Sequence, residues 1–221
     1  RARSAGLIGR MTFPAALHST TPEAQRRALE RVVRASPRLT AVCRAIRGLA
    51  LPDWWIVSGA VYGAVWNALT GRPDMHGVKD IDLIYFDPDT SFEAEDAVIR
   101  RVAAAAPGRP PVEARNQARV PLWFETRFGH PYPPIGSARD SVARFAARTH
   151  AVAIRLEPDD SLSVHAPFGL DDVFALRLTP NPVLPNRHTY EAKAARQMAV
   201  WPELAFAPWP DAPSPTDGAL P

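Results

Sequence analysis

Residues 78–86 read Val-Lys-Asp-Ile-Asp-Leu-Ile-Tyr-Phe, and this stretch is the strongest indication of how the chain folds. Its β-branched and aromatic residues predict a central strand, which Asp87-Pro88-Asp89 ends. Side chains two positions apart share one face of a strand, so Asp80 and Asp82 face the same way with Cα atoms ~6.6 Å apart. A magnesium ion between these two carboxylates would convert their repulsion into coordination. The alternative interpretation is a strand end that emerges into solvent.

Two further features lie upstream and downstream of this strand. Upstream, a short apolar run is followed by Ser58-Gly59-Ala60 and a predicted helix. The glycine permits a tight turn, and a helix N-terminus offers unpaired N–H groups to phosphate. Downstream, Val112-Glu113-Ala114 begins another predicted strand. If the two strands are neighbours, Glu113 completes a cluster of three carboxylates with the aspartate pair.

The surrounding pattern alternates helices and strands, which predicts an α/β or α+β sheet with helices packed on it. Cys43 lies on the apolar stripe of the second helix, which predicts a buried thiol. Other predicted elements are helices over 21–36, 36–48, 60–69, 92–105, 117–128, 137–148 and 188–199, strands at 54–57 and 112–114, and a β-hairpin over 152–164.

Composition excludes several classes of protein. The chain has 221 residues, of which 46% are hydrophobic and 22% charged, as expected of a globular protein. One cysteine cannot form an intrachain disulfide, and no apolar run is long enough to span a bilayer, so a cytoplasmic protein without a membrane partner is expected. The 24 arginines and two lysines give a net charge of only +3 and are scattered, so composition alone does not indicate a nucleic-acid binder.

Taken together, the glycine turn, the alternating acids and the later glutamate resemble the nucleotidyltransferase superfamily that has a DNA polymerase β-like catalytic core. More closely, the chain resembles a bacterial family of uncharacterised nucleotidyltransferase-like proteins. The resemblance spans roughly residues 25 to 205, and the matching stretches are 59–67, 79–87, 113–120, 166–170 and 180–182. It implies an α+β fold with a polymerase β-like nucleotidyltransferase core, which is a small mixed sheet with flanking helices plus a C-terminal extension.

The resemblance also implies an activity: magnesium-dependent transfer of a nucleoside monophosphate from an NTP to a hydroxyl acceptor, with release of pyrophosphate. Asp80 and Asp82 would ligate Mg²⁺ bound to the triphosphate, and Asp82 and Glu113 would help to hold a second ion. Glu113 is also the candidate acceptor of the hydroxyl proton. Ser58 and Gly59 would bind phosphate through backbone N–H groups and the hydroxyl.

Four additional residues are candidates for nucleotide binding. Arg115 and Arg119, with Asn116 between them, would clamp phosphates bidentately; the alternative is that they solvate a surface face. Lys79 precedes the acid pair and, in an ideal strand, points to the opposite face. Position 60 carries Ala where the wider superfamily has Gly or Ser, so a hydroxyl contact is absent there.

Two other functions stay open at this point. One is a catalytically degenerate nucleotide-binding or interaction module on the same fold. The other is a metal-dependent nucleotide-sugar glycosyltransferase, which would use Asp80 and Asp82 but leaves the glycine turn and Glu113 unexplained. A P-loop NTPase, a serine hydrolase and a dinucleotide-dependent dehydrogenase are excluded because their glycine and serine motifs are missing. The acceptor, whether small molecule, protein or RNA, and the oligomeric state do not follow from the sequence.

The expected organisation has four parts. Residues 1–20 are a flexible N-terminal segment, and residues 21–128 are the nucleotidyltransferase core with two N-terminal helices. Residues 129–201 form a C-terminal extension that contains the β-hairpin and helices. Residues 202–221 are expected to be a proline-rich, poorly ordered tail.

Overall fold

The first two helices begin where the sequence carries a capping side chain followed by proline. The structure is a computed structural model that describes residues 17–210. In it, α1 (Pro22–Ala35) and α2 (Pro37–Gly48) are capped by Thr21 and Ser36. Each cap oxygen accepts a hydrogen bond from the backbone amide three positions on, at 3.3 and 3.2 Å. The predicted helix starts are therefore confirmed.

Five strands form one mixed sheet. Its order is β3-β2-β1-β4-β5, in which β2 and β3 are parallel and the other neighbours are antiparallel. This arrangement confirms the expected α+β class and makes the predicted strand at 112 a direct neighbour of the acid-bearing strand. The strands are β1 (Trp55–Val57), β2 (Ile81–Tyr85), β3 (Val112–Asn116), β4 (Ala153–Leu156) and β5 (Leu162–His165).

The strand pairing decides which side chains share a face of the sheet. Asp82 is paired with Glu113 in the parallel ladder, so the two acids lie side by side on one face. Ile81, Leu83 and Tyr85 alternate onto the other face, where all three are buried in the main hydrophobic core. That core is closed by α1, α2, α3 (Gly59–Thr70) and α4 (Phe92–Ala105).

The C-terminal part is built onto the same sheet. Strands β4 and β5 extend it, and α8 (Arg187–Val200) is linked to α3 by a hydrogen bond from the Gln197 amide to the Tyr62 hydroxyl. Just after α8, the indole of Trp201 donates a 2.9 Å hydrogen bond to Asn67 Oδ1 and meets Trp66 edge-on at 5.1 Å between ring centroids. The remaining α-helices and strands are α5 (Val120–Phe128), α6 (Ala138–Val142), α7 (Asp171–Phe174), β6 (Arg177–Leu178) and β7 (Ala205–Phe206).

Two regions differ from the sequence-based expectation. The helix predicted over 137–148 ends at Val142, because the Asn181 amide donates 2.8 Å hydrogen bonds to the carbonyls of Ala143 and Phe145 and holds the chain in a turn. The expected tail begins with structure, since β7 pairs in parallel with β6. The predictions for residues 1–16 and 211–221 fall outside the described residues.

No helix among the described residues is long and apolar enough to cross a membrane.

Candidate active site

The turn between β1 and α3 is strained at Ser58, whose φ of 56° and ψ of −119° belong to a region that favours glycine. Its backbone N–H donates to the Val152 carbonyl at 2.9 Å, and its carbonyl accepts from Val61 and Tyr62. The Ser58 amide is therefore not free for a ligand, contrary to the expectation from sequence. Ser58 and Gly59, the first residue of α3, line the site, and the Ser58 side chain is hydrogen-bonded to that of Tyr62.

The carboxylates lie at the amino-terminal end of β2 and β3. Asp82 is partly buried and paired in register with Glu113, while Asp80 comes just before β2. Burial and the charges of Asp80 and Glu113 raise the pKa of Asp82 to about 6, because its ionised form is desolvated and repelled. Glu113 is held by Arg115 Nη2 at 3.3 Å. Within residues 17–210, no three His, Cys, Asp or Glu side chains are already gathered around a metal position.

A cavity of about 160 Å³, here called the lysine cavity, opens beside these acids. One wall is the Ser58 turn with Tyr62, and the opposite wall is α8. Both lysines of the chain, Lys79 and Lys193, line it together with Asp80, Asp82 and Arg196. An anionic ligand would meet three cations here, and a divalent cation would meet two carboxylates.

Among the positively charged residues, Lys193 acts most strongly on the charge of Asp82. Burial lowers the pKa of Lys193, and the charges of Asp82 and Asp80 partly restore it. In the described part of the chain its ammonium group makes no ion pair within 4.0 Å. A largely desolvated ammonium group with free hydrogen-bond donors is suited to phosphate oxygens.

Sequence reasoning missed Lys193 and Arg196, which lie on α8 about 110 positions after Asp82. The available signal was composition: in a chain with 24 arginines, only two positions carry lysine. Lys79 was expected to face away from the acids, but β2 begins at Ile81, so strand alternation does not extend back to it, and it lines the lysine cavity.

Helix α8 is fixed against the Ser58 turn by a buried polar network. The amide of Gln197 donates to the Tyr62 hydroxyl and its Oε1 lies 2.9 Å from His150 Nε2. Burial lowers the pKa of His150 to about 3, so the ring is neutral and its Nε2–H donates to Gln197. The His150 and Tyr62 rings stack at 5.0 Å. This network determines where Lys193 and Arg196 stand relative to the acids.

The loop before the acids also packs closely against α8. Gly77 has a φ of 72°, and a Cβ there would lie 2.5 Å from Val200 and 2.8 Å from Trp201. Only glycine allows this approach, which brings Lys79 and Asp80 to the cavity.

The structure separates the other sequence candidates. Asn116 is 2% exposed, and its amide group binds the 87–89 loop and Ala118. Arg119 binds Glu95 at 3.2 Å and the Ser91 carbonyl at 2.6 Å. Neither residue lines the lysine cavity, so their contacts do not support the predicted phosphate clamp.

Ala60 does not line the site. Its side chain is 0% exposed, belongs to the main core and does not line the cavity. A hydroxyl at this position would face the core, so the alanine does not remove a contact from the cavity.

The comparisons with known proteins agree with this geometry. The profile of a protein family described as Nucleotidyltransferase matches residues 44–206. A solved NMR structure, described as revealing a CCA-adding enzyme head domain, is similar with a TM-score of 0.64 and 25% sequence identity, over 87% of this chain and 100% of that chain. No curated protein is significantly similar in sequence. The matched range covers the glycine turn, both acidic strands and α8, and the chain belongs to the nucleotidyltransferase family.

Proposed function

We propose that the protein transfers a nucleoside monophosphate from an NTP to a hydroxyl acceptor and releases pyrophosphate, with magnesium as the cofactor. The observation that carries the proposal is the pairing of Asp82 with Glu113 on one sheet face, beside a cavity that contains both lysines. Acids of two strands and cations of a distant helix meet at one place, as a reaction between a metal-bound polyphosphate and a hydroxyl requires.

The donor set fits a hard divalent cation. Asp80, Asp82 and Glu113 offer only carboxylate oxygens, which Mg²⁺ prefers, and burial together with the charges of the other two acids raises the pKa of Asp82. Asp80 and Asp82 would hold the ion that accompanies the triphosphate, and Asp82 and Glu113 would hold a second ion. Bound there, the ions would neutralise charge on the reacting phosphate and its leaving group.

The side chains of the chain itself bind and orient the reactants. Lys79, Lys193 and Arg196 bind phosphate oxygens and offset the negative charge of the pyrophosphate as it leaves. Gly59 begins α3, where helix amides lack partners within the helix and can donate to phosphate. Glu113 accepts the proton of the attacking hydroxyl.

The test is calorimetric titration of ATP, CTP, GTP and UTP with Mg²⁺ into wild type, Asp82→Asn and Glu23→Gln. Glu23 is a matched acid on α1 whose side chain is 72% exposed, so its loss leaves the site intact. We expect magnesium-dependent binding of at least one nucleotide, weakened about tenfold or more by Asp82→Asn and unchanged by Glu23→Gln. Equal binding by wild type and Asp82→Asn contradicts the metal assignment.

Turnover is tested separately, with α-labelled nucleotide and a panel of hydroxyl acceptors. Label that moves to an acceptor, with one pyrophosphate released per transfer, supports the transferase. Magnesium-dependent binding without transfer over the whole panel favours the catalytically degenerate module, and transfer of sugar from a UDP-sugar favours the glycosyltransferase.

A further inference from the structure

A second cavity of about 170 Å³, here called the arginine cavity, adjoins the lysine cavity. The two share Ser58, Asp82 and Lys193, which therefore stand between them. Lys79 and Arg196 line the lysine cavity but not the arginine cavity. Asp82 is thus reached from two sides, and the two sides differ in chemistry.

Apolar side chains of the sheet face form much of the arginine cavity. Val57 of β1 and Ile84 of β2 are 1% and 5% exposed, and Phe145 stands beside them after α6. Arg115 of β3 supplies a cation, and Lys193 supplies another at the boundary. The cavity therefore combines an apolar surface with positive charge close to the acids.

Arg115 is only partly engaged. Its guanidinium contacts Glu113 at 3.3 Å and the Ala114 carbonyl at 3.1 Å, and the side chain is 57% exposed. A guanidinium carries five N–H donors, so several stay available to a ligand. An anionic group in the arginine cavity would be within the field of both Arg115 and Lys193.

Phosphoryl transfer constrains where the second substrate enters. In an in-line displacement, the attacking oxygen approaches phosphorus from the side opposite the leaving group. If the triphosphate occupies the lysine cavity, pyrophosphate leaves among Lys79, Lys193 and Arg196. The attacking hydroxyl then comes from the other side of Asp82, where the arginine cavity opens.

We propose that the arginine cavity is the acceptor site and takes a small hydroxyl compound with an apolar body and an anionic group. The proposal rests on the proposed function. In the step, the acceptor oxygen bonds to the α-phosphorus while the bond from that phosphorus to the bridging oxygen of pyrophosphate breaks. Pyrophosphate keeps the electron pair, and the hydroxyl proton goes to Glu113.

The cavity has room for an apolar body of about one ring. An enclosed apolar cavity of about 150 Å³ holds benzene. The sheet face beyond the cavity is not an open platform for a long polymer, because Ala138 and Val142 of α6 are buried against it. Arg155 on the same sheet lies over the Trp55 ring at 4.6 Å and pairs with Glu157. Its guanidinium is therefore already engaged within the protein and is not counted among the groups that bind the ligand.

The test uses three hydroxyl compounds of equal size that differ in charge: 4-hydroxybenzoate, 4-hydroxybenzyl alcohol and 4-hydroxybenzylamine. Their binding to the full chain is measured by ligand-observed NMR titration, alone and with ATP and Mg²⁺ present. The variants are Arg115→Gln and the control Arg100→Gln, which removes an exposed arginine of α4 that also has a nearby acid partner.

We expect the anion to bind about tenfold or more tightly than the other two, to lose about tenfold in Arg115→Gln and to be unaffected in Arg100→Gln. It should still bind when ATP and Mg²⁺ are present. No preference for the anion, no effect of Arg115→Gln, or displacement of the anion by ATP each overturn the acceptor site. If ATP and Mg²⁺ fail to bind wild type, the proposed function falls; if only the anion fails, the acceptor site alone falls.

Discussion

The two faces of β3 carry similar polar residues with opposite roles. On one face, Glu113 and Arg115 are exposed and bind each other and one neighbouring carbonyl. On the other face, Asn116 is buried and its amide makes four hydrogen bonds, and just after the strand Arg119 is paired with Glu95. Polar groups whose bonds are all made within the protein hold the fold, whereas groups with spare capacity are those a ligand can use.

The largest effect is expected from Glu113→Gln on the exposed face of β3. Loss of the proton acceptor and of one metal-facing carboxylate should lower kcat roughly 10³-fold. The rate to be measured is that of pyrophosphate release from labelled NTP in the presence of the acceptor that the screen identifies. Glu93→Gln, an exposed acid of α4, is the control and should keep the wild-type rate. A Glu113→Gln rate within threefold of wild type would remove Glu113 from the mechanism.

Asp82→Asn should stabilise the metal-free protein while it weakens nucleotide binding. The folded pKa of about 6 lies above the unfolded value near 3.8, so the folded protein binds the proton more tightly. Asp82 therefore costs stability that appears as pH rises from about 4 to 6 and is full at pH 7, on the order of 3 kcal/mol. Urea unfolding of both proteins at pH 4 and pH 7 measures it. Equal free energies of unfolding at pH 7 contradict the prediction.

Asn116→Ala tests the buried face of β3. The substitution leaves the amides of Asp87 and Ala118 without their acceptor, which should lower the free energy of unfolding by about 2 kcal/mol. Nucleotide affinity at a temperature where the variant is folded should stay within threefold of wild type. A selective loss of nucleotide binding in a stable Asn116→Ala protein would return this residue to the site.

Lys193→Met tests whether α8 contributes to binding. Without the ammonium group, the dissociation constant for the nucleotide with Mg²⁺ should rise roughly tenfold, about 1.4 kcal/mol. Lys193→Arg keeps the charge and should recover part of the affinity. Melting temperatures of the three proteins separate binding from folding. An unaltered nucleotide affinity in Lys193→Met would make α8 a structural wall only.

The smallest effect is expected at the strained turn. Ser58→Ala and Ser58→Gly both remove the hydroxyl, but only glycine adopts a φ of 56° without strain. Ser58→Gly should therefore be about 1 kcal/mol more stable than Ser58→Ala, as thermal unfolding would measure. Equal stability of the two variants would mean that the turn relaxes when the hydroxyl is absent.

Local patterns in the sequence predicted most of the elements close to their observed limits. These elements were predicted from short-range signals: the caps at Thr21 and Ser36, the alternation around Asp82 and the pattern over 92–105. The predictions are correct because local propensity and tertiary structure agree at these places. The helix predicted from Ser137 begins at that cap as expected, but its end was predicted six residues too late because Asn181, about 40 positions away, determines it. No local pattern records such a contact.

What the sequence determined by itself was the list of acids and the alternation within β2 that turns Asp82 away from the core residues Ile81 and Leu83. The tertiary structure decided which other polar groups join them. Parallel pairing placed Glu113 beside Asp82, and the contact of Gln197 on α8 with Tyr62 on α3 accompanies the placement of Lys193 and Arg196 at the lysine cavity. The same folding used Asn116 and Arg119 to hold a loop. The site requires residues that are far apart in the chain to lie close together. Strand register and helix packing decide which residues do so, and neither can be read from a local stretch of sequence.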